Sequence, residues 1–108
     1  MSETESFVMN ELKKLVDERD WNQFHTRENL AKSISIEAAE LLECFQWQET
    51  DDNMHVQEEL ADVLTYCFLL ANSLGLSPSD IILEKLEKTK TKYPTEIARG
   101  RNTKYGKL

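Results

Sequence analysis

Residues 34–47, ISIEAAELLECFQW, and residues 57–75, QEELADVLTYCFLLANSLG, decide the fold expected for this chain, because both are apolar at helical spacing. Each stretch also holds a pair of acids three residues apart: Glu37 with Glu40, and Glu59 with Asp62. Residues at this spacing project from the same face of a helix, one turn apart. Two such helices packed side by side would converge four carboxylates, the ligand type that a hard divalent cation such as Mg²⁺ requires.

The surroundings of these four acids separate them from the other acids of the chain. On a helical wheel hydrophobic side chains border both pairs, and the apolar face of the first stretch comprises Ile34, Ala38, Leu41, Leu42 and Phe45. Glu43 and Glu58 fall further round and are interpreted as solvated charges. An ionised acid bordered by apolar side chains is costly unless a positive charge meets it. One pair alone would favour a solvated helix face, whereas the two together predict a metal site.

Glycine and proline are scarce and fall near the ends of the chain or between helical patterns, and no alternating strand pattern of useful length occurs. The periodicity and cap residues predict four helices. The first covers about 6–20, and the second runs from the cap Thr26 to about 47. The third runs from an Asp or Asn cap within 51–53 to about 74–75, and the fourth from the cap Ser77 to about 92. At most a short helix and a basic tail follow from about residue 95. The expected fold is all-α, with a four-helix core completed by homo-oligomerisation as a dimer or tetramer of bundles.

Composition narrows the class of protein further. The 108 residues suit one domain, 1–108, and 13 basic against 20 acidic residues argue against a nucleic-acid partner. Eight of the basic residues but only two of the acids lie from Lys85 onward, so the acidic part suits a metal and the basic end suits phosphate. Cys44 and Cys67 form no CxxC motif. We expect them to be buried in the hydrophobic core, in a protein of a reducing compartment.

No membrane partner is expected. The apolar run over 63–76 is too short to span a bilayer. The first ten residues, MSETESFVMN, lack the basic segment and apolar core of a signal peptide. We therefore expect a cytoplasmic protein.

The order of several short motifs resembles the MazG-type all-α nucleoside triphosphate pyrophosphatases, most of all their dCTP pyrophosphatase branch. The matching stretches are Arg19-Asp20-Trp21, Gln23-Phe24-His25, Asn29-Leu30, residues 37–47, ELADVL at 59–64, Lys85 and Lys92-Tyr93-Pro94. The resemblance implies hydrolysis of a nucleoside triphosphate, here dCTP or a related dNTP, to the monophosphate and pyrophosphate. It also implies Mg²⁺ as cofactor, with Mn²⁺ as a substitute, and a homodimer or a tetramer built from dimers.

The resemblance assigns roles to individual residues as well. It implies that Glu37, Glu40, Glu59 and Asp62 bind the metal. We expect one acid of this set, Glu37 or Glu40, to orient or deprotonate the attacking water. The residues that the resemblance places around the nucleotide are Trp21, Phe24, His25, Trp47, Tyr66, Lys85, Lys92 and Tyr93. A flat aromatic ring can stack on a base, although core packing is an alternative for Trp47 and Tyr66. His55 has no counterpart in the family pattern and is interpreted as a surface residue.

Two departures from the family pattern bear on base preference. Thr89 stands where the family usually has asparagine, and Leu12 stands where close relatives can have a polar residue such as histidine. Three other interpretations remain open. They are a non-enzymatic helical dimerisation or adaptor module, a dUTP-type or phosphoribosyl-ATP-type pyrophosphatase, and a di-iron carboxylate bundle. The last needs Glu-x-x-His pairs, and the nearest match is Asp52-x-x-His55.

Overall fold

The computed structural model describes residues 2–47 and 53–107, and within these ranges the chain forms helices and turns with no strand. The helices are α1 (Glu3–Glu18), α2 (Arg27–Glu43), α3 (Asn53–Ser73), α4 (Pro78–Lys92) and α5 (Thr95–Ala98). Short 3₁₀ turns cover Trp21–Gln23 and Tyr105–Lys107. The prediction of an all-α chain is confirmed.

Two helix starts follow the predicted capping chemistry. The Thr26 hydroxyl accepts the Asn29 N–H at 3.1 Å, and the Ser77 hydroxyl accepts the Asp80 N–H at 3.3 Å. These bonds satisfy amides that have no partner within the first turn of a helix. Pro78 follows Ser77 at a position where a missing N–H costs nothing. The predicted caps of α2 and α4 are therefore confirmed.

Other predicted boundaries need correction. Helix α1 begins at Glu3 because the Ser2 hydroxyl caps it, and it ends before Asp20, whose φ of 54° is left-handed. Helix α2 ends at Glu43 and does not reach Trp47. The next amides bond to carbonyls three residues back, which tightens the chain into turns. Of the predicted caps of α3, Asp51 and Asp52 lie outside the described residues, and Asn53 is the first residue of the helix itself.

The core lies where α1, α2 and α3 meet. Val16, Leu30 and Leu69 are buried there, and Leu12, Tyr66 and Leu70 pack against them. Helix α4 leaves α3 at an angle of 92°, and its residues 80–92 are all exposed. Within one chain α4 adds little to this core, because the turn after α3 directs most of it away. Its start stays close to α1, where the Ser77 hydroxyl and the Ser79 N–H donate to the Glu5 carboxylate. Completion of the core by homo-oligomerisation stays a prediction.

The predicted apolar face of α2 is also largely uncovered. Leu42 is 70% exposed and Phe45 is 52% exposed, since no described element of the same chain packs over them. Cys44 is buried, as predicted, whereas Cys67 is only partly buried.

Within the described ranges no single helix has the length and hydropathy of a membrane span. Helices α3 and α4 meet that criterion only as a pair, across the 92° bend between them.

Candidate metal centre and adjoining cavity

The packing of α2 against α3 brings three of the four predicted metal ligands together. Carboxylate oxygens of Glu37, Glu40 and Glu59 all lie within 4.8 Å of one another. Glu37 and Glu40 lie one turn apart on α2, as their spacing predicts, and Glu59 reaches them from α3. Glu37 and Glu59 are partly buried, whereas Glu40 is exposed. We call these three residues the carboxylate cluster.

Asp62, the fourth predicted ligand, lies outside this group of three. Its side chain is exposed, and it lines the cavity described below. Its negative charge still reaches the cluster, since it contributes to raising the pKa of Glu37. Asp62 therefore lies beside the carboxylate cluster and on the side of the adjoining cavity.

The cluster has the character of a cation site. Oε2 of Glu37 and Oε2 of Glu59 are buried and have no hydrogen-bond partner. Burial is the main cause that raises the pKa of Glu37. The hydrogen bond that a protonated Glu37 can donate to Glu40 comes next, followed by repulsion from Glu40, Asp62 and Glu59. A buried oxygen without a partner is costly, and a cation would supply the missing contact. All three candidate ligands are carboxylates, which suit a hard ion such as Mg²⁺ or Mn²⁺.

A small cavity of about 100 Å³ adjoins the cluster through Asp62. Its aromatic side chains are Trp21, His25 and Tyr66, three of the predicted nucleotide-pocket residues. The His25 ring lies 6.3 Å from the Trp21 ring and 6.3 Å from the Tyr66 ring, measured between centroids. The remaining lining residues are Leu12, Leu15, Val16, Thr65 and Leu69. The cavity thus combines flat ring surfaces with apolar walls, next to acids.

Five predicted substrate-binding residues lie away from this cavity. Phe24 and Trp47 are 60% and 86% exposed, and neither lines it. Lys85 borders an apolar groove on α4 with Ile81, Ile82, Leu86 and Thr89. Lys92 is exposed in the last turn of α4. Tyr93 accepts a hydrogen bond from the Tyr105 N–H through its hydroxyl at 2.9 Å. The single chain therefore brings the metal candidates close to Trp21, His25 and Tyr66, but not to the other predicted substrate-binding residues.

The sequence did not predict that His55 contacts this site. His55 lies near the start of α3 with Nε2 3.4 Å from Oε1 of Glu59. Its other ring nitrogen, Nδ1, lies 3.7 Å from Sγ of Cys44. The available signal was the spacing, because a residue four positions before Glu59 lies on the same face of the helix.

Comparison with known proteins agrees with this architecture. The MazG-like family matches residues 32–108. dCTP pyrophosphatase 1 of Homo sapiens is 36% identical over 102 residues, and that of Rattus norvegicus is 34% identical over 101 residues. Each alignment covers 84% of this chain and 59% of the relative, so the chain spans well under two thirds of these relatives' length.

A solved structure extends the likeness to three dimensions. The crystal structure of a pyrophosphatase from Archaeoglobus fulgidus superimposes with a TM-score of 0.78 at 38% sequence identity. The match covers 87% of this chain and 95% of the other. The family match includes both acidic pairs and most of the chain. The chain therefore belongs to the MazG-like family.

Proposed function

We propose that this protein is a nucleoside triphosphate pyrophosphohydrolase that converts dCTP or a related dNTP to the monophosphate and pyrophosphate. The observation that carries the proposal is the carboxylate cluster beside an aromatic-lined cavity. Such a pairing suits a substrate with a metal-binding polyphosphate at one end and a flat base at the other. The names of the relatives, dCTP pyrophosphatase 1 and a pyrophosphatase, support the same class of reaction.

Glu37, Glu40 and Glu59 would hold Mg²⁺, with Mn²⁺ as a substitute, and Asp62 would join them on the cavity side. The two buried oxygens without hydrogen-bond partners support this role for Glu37 and Glu59. When bound, Mg²⁺ would neutralise phosphate charge and lower the pKa of a bound water. The acids also repel a bare triphosphate, so without a cation the same residues would weaken substrate binding.

The chemical step we propose is in-line attack of water on the α-phosphorus. The new bond joins the water oxygen to the α-phosphorus, and the bond to the oxygen that bridges the α- and β-phosphorus breaks. Pyrophosphate leaves with that oxygen, while Glu37 or Glu40 accepts the proton of the attacking water. A carboxylate within hydrogen-bond reach of the water can act as such a general base.

The cavity beside Asp62 is the proposed site of the base. Trp21 and Tyr66 offer ring faces for stacking, and His25 offers a ring nitrogen for a hydrogen bond to a base edge. Leu12 lines the same cavity. Because a leucine cannot form hydrogen bonds through its side chain, Leu12 bears directly on which base is preferred. Thr89, the other departure, instead donates to the Lys85 carbonyl within α4 at 3.2 Å.

We further propose that domain 1–108 works as a homo-oligomer. The chain exposes 8653 Å² of surface, about 2,400 Å² more than the roughly 6,200 Å² expected for a compact monomer of its mass. Its radius of gyration is 17.1 Å, against about 13 Å for a compact domain of this length. The excess area is of the size that obligate dimers bury. A second copy over α2 and α4 would cover Leu42 and Ile82, and would bring residues such as Lys85, Lys92 and Tyr93 towards a shared site.

A pyrophosphate-release assay over the common NTPs and dNTPs tests this proposal. The protein should release pyrophosphate from at least one dNTP with Mg²⁺, and a chelator should abolish the release. The panel includes dUTP and phosphoribosyl-ATP, so that it also separates the related specificities. No release from any of these compounds would contradict the enzymatic function and favour the adaptor alternative.

A further inference from the structure

The contacts of the Glu59 carboxylate divide its two oxygens between different environments. Oε1 lies 3.4 Å from Nε2 of His55, whose side chain is 55% exposed. Oε2 is buried without a hydrogen-bond partner. One oxygen therefore faces a side-chain donor at the edge of the cluster, and the other remains available inside it. A carboxylate held through one oxygen presents the other in a restricted set of directions.

His55 is itself connected to α2. Its Nδ1 lies 3.7 Å from Sγ of Cys44, and that thiol lies 3.7 Å from the backbone carbonyl of Glu40. Cys44 is buried at the end of α2, while His55 is in the first turns of α3. The contacts run from the backbone of one cluster residue, Glu40, through Cys44 and His55 to the carboxylate of another, Glu59. They therefore link the two helices that carry the cluster.

The chemistry of the imidazole suits this arrangement. A neutral histidine donates through one ring nitrogen and accepts through the other. Donation from Nε2 to the Glu59 carboxylate leaves the lone pair of Nδ1 facing the Cys44 sulfur, whose single proton points either to Nδ1 or to the Glu40 carbonyl. The opposite tautomer would direct the lone pair of Nε2 at a carboxylate oxygen, which is repulsive. The Glu59 contact thus favours the tautomer with the proton on Nε2.

We propose that His55 is a positioning residue for Glu59: it holds Oε1 and so keeps the buried Oε2 directed into the carboxylate cluster. This inference rests on the proposed metal site. Groups that orient metal ligands typically contribute 10- to 100-fold to metal affinity. His55 acts through Glu59 and needs no contact with substrate.

Mg²⁺ affinity, measured by calorimetric titration of the purified protein without nucleotide, tests the proposal. His55→Ala should weaken Mg²⁺ binding about 10-fold. His55→Gln should restore most of the affinity, because its amide nitrogen lies near the position of Nε2, whereas the shorter His55→Asn should not. Gln57→Ala, an exposed neighbour on the same turn, is the matched control and should bind Mg²⁺ as the unsubstituted protein does.

A double substitution separates positioning from general stabilisation. If His55 acts through Glu59, adding His55→Ala to Glu59→Gln should weaken Mg²⁺ binding no further than Glu59→Gln alone. Unchanged Mg²⁺ affinity in His55→Ala, even with a lower melting temperature, would overturn the inference while leaving the metal site in place. Equal losses in His55→Gln and His55→Ala would overturn it as well. Absence of Mg²⁺ binding by the unsubstituted protein would instead overturn the proposed metal site and this inference with it.

Discussion

Replacing Glu37 with glutamine should stabilise the protein in the absence of metal. Oxygens of Glu37, Glu40 and Glu59 lie within 4.8 Å of one another. At that separation, two full charges repel by about 0.9 kcal/mol at the dielectric constant of water and by about 3.5 kcal/mol at an effective value near 20. The exposure of Glu40 favours the lower figure. The amide preserves the size of the side chain and can donate to Glu40, so Glu37→Gln should gain roughly 1 kcal/mol.

Thermal unfolding with and without Mg²⁺ measures this effect. A gain of 1 kcal/mol corresponds to a rise in melting temperature of about 4 °C or more for a domain of this size. Added Mg²⁺ should raise the melting temperature of the unsubstituted protein. At a Mg²⁺ concentration of 100 times the Kd, its free energy of unfolding should increase by about 2.7 kcal/mol. Mg²⁺ should stabilise Glu37→Gln much less, because the variant lacks one ligand.

Glu43→Gln and Glu58→Gln are the matched controls, since both acids are exposed on the same two helices and lie outside the cluster. Neither should change the metal-free melting temperature or the response to Mg²⁺ beyond the roughly 0.5 kcal/mol typical of surface substitutions. If Glu43→Gln stabilises the metal-free protein as much as Glu37→Gln does, general charge reduction explains the gain and the reasoning from the cluster is refuted.

Three further predictions concern other parts of the molecule. Hydrogen bonds, first of all from the Ser79 side chain, lower the pKa of Glu5 from its ordinary value of 4.5. The stability that the ionised Glu5 adds is therefore fully present above pH 4.5 and is lost as the pH falls through the lowered pKa. Melting curves of Glu5→Gln and the unsubstituted protein should therefore differ at neutral pH and converge in acid; a constant difference would contradict this. Trp21→Ala should raise the KM for the dNTP roughly 5- to 150-fold, as expected for loss of a stacking ring. Phe24→Ala, outside the cavity, should raise it less, and equal effects would contradict the placement of the base. Leu42→Asp should shift the protein towards monomers in sedimentation velocity, and an unchanged oligomer would exclude that face from the interface.

The sequence predicted the parts of the fold that depend on local rules. Helical periodicity placed Glu37 and Glu40 on one face of α2, and side-chain chemistry identified Thr26 and Ser77 as caps. Glu59 joins the cluster because α2 and α3 pack together, as the two apolar stretches indicated. The resemblance added Trp21, His25 and Tyr66, which do surround one cavity.

The remaining features depend on long-range geometry that local patterns do not encode. The direction of α4 follows from the turn after α3, where Gly75 adopts a φ of +71°. The contact between His55 and Glu59 is local, but its position beside Cys44 depends on how α3 meets the end of α2. A helical wheel shows an apolar face without showing which chain covers it. The exposure of Leu42 and Ile82 fits the expectation that a single chain leaves part of its apolar surface uncovered.

The identity of the products tests the central claim most directly. Phosphorus NMR of a dNTP incubated with the protein and Mg²⁺ in ¹⁸O-labelled water reads both the products and the position of attack. We expect the nucleoside monophosphate and pyrophosphate, with ¹⁸O on the monophosphate. Orthophosphate and a nucleoside diphosphate would mean attack at the γ-phosphorus, and ¹⁸O in pyrophosphate would mean attack at the β-phosphorus. Either result would contradict the proposed reaction.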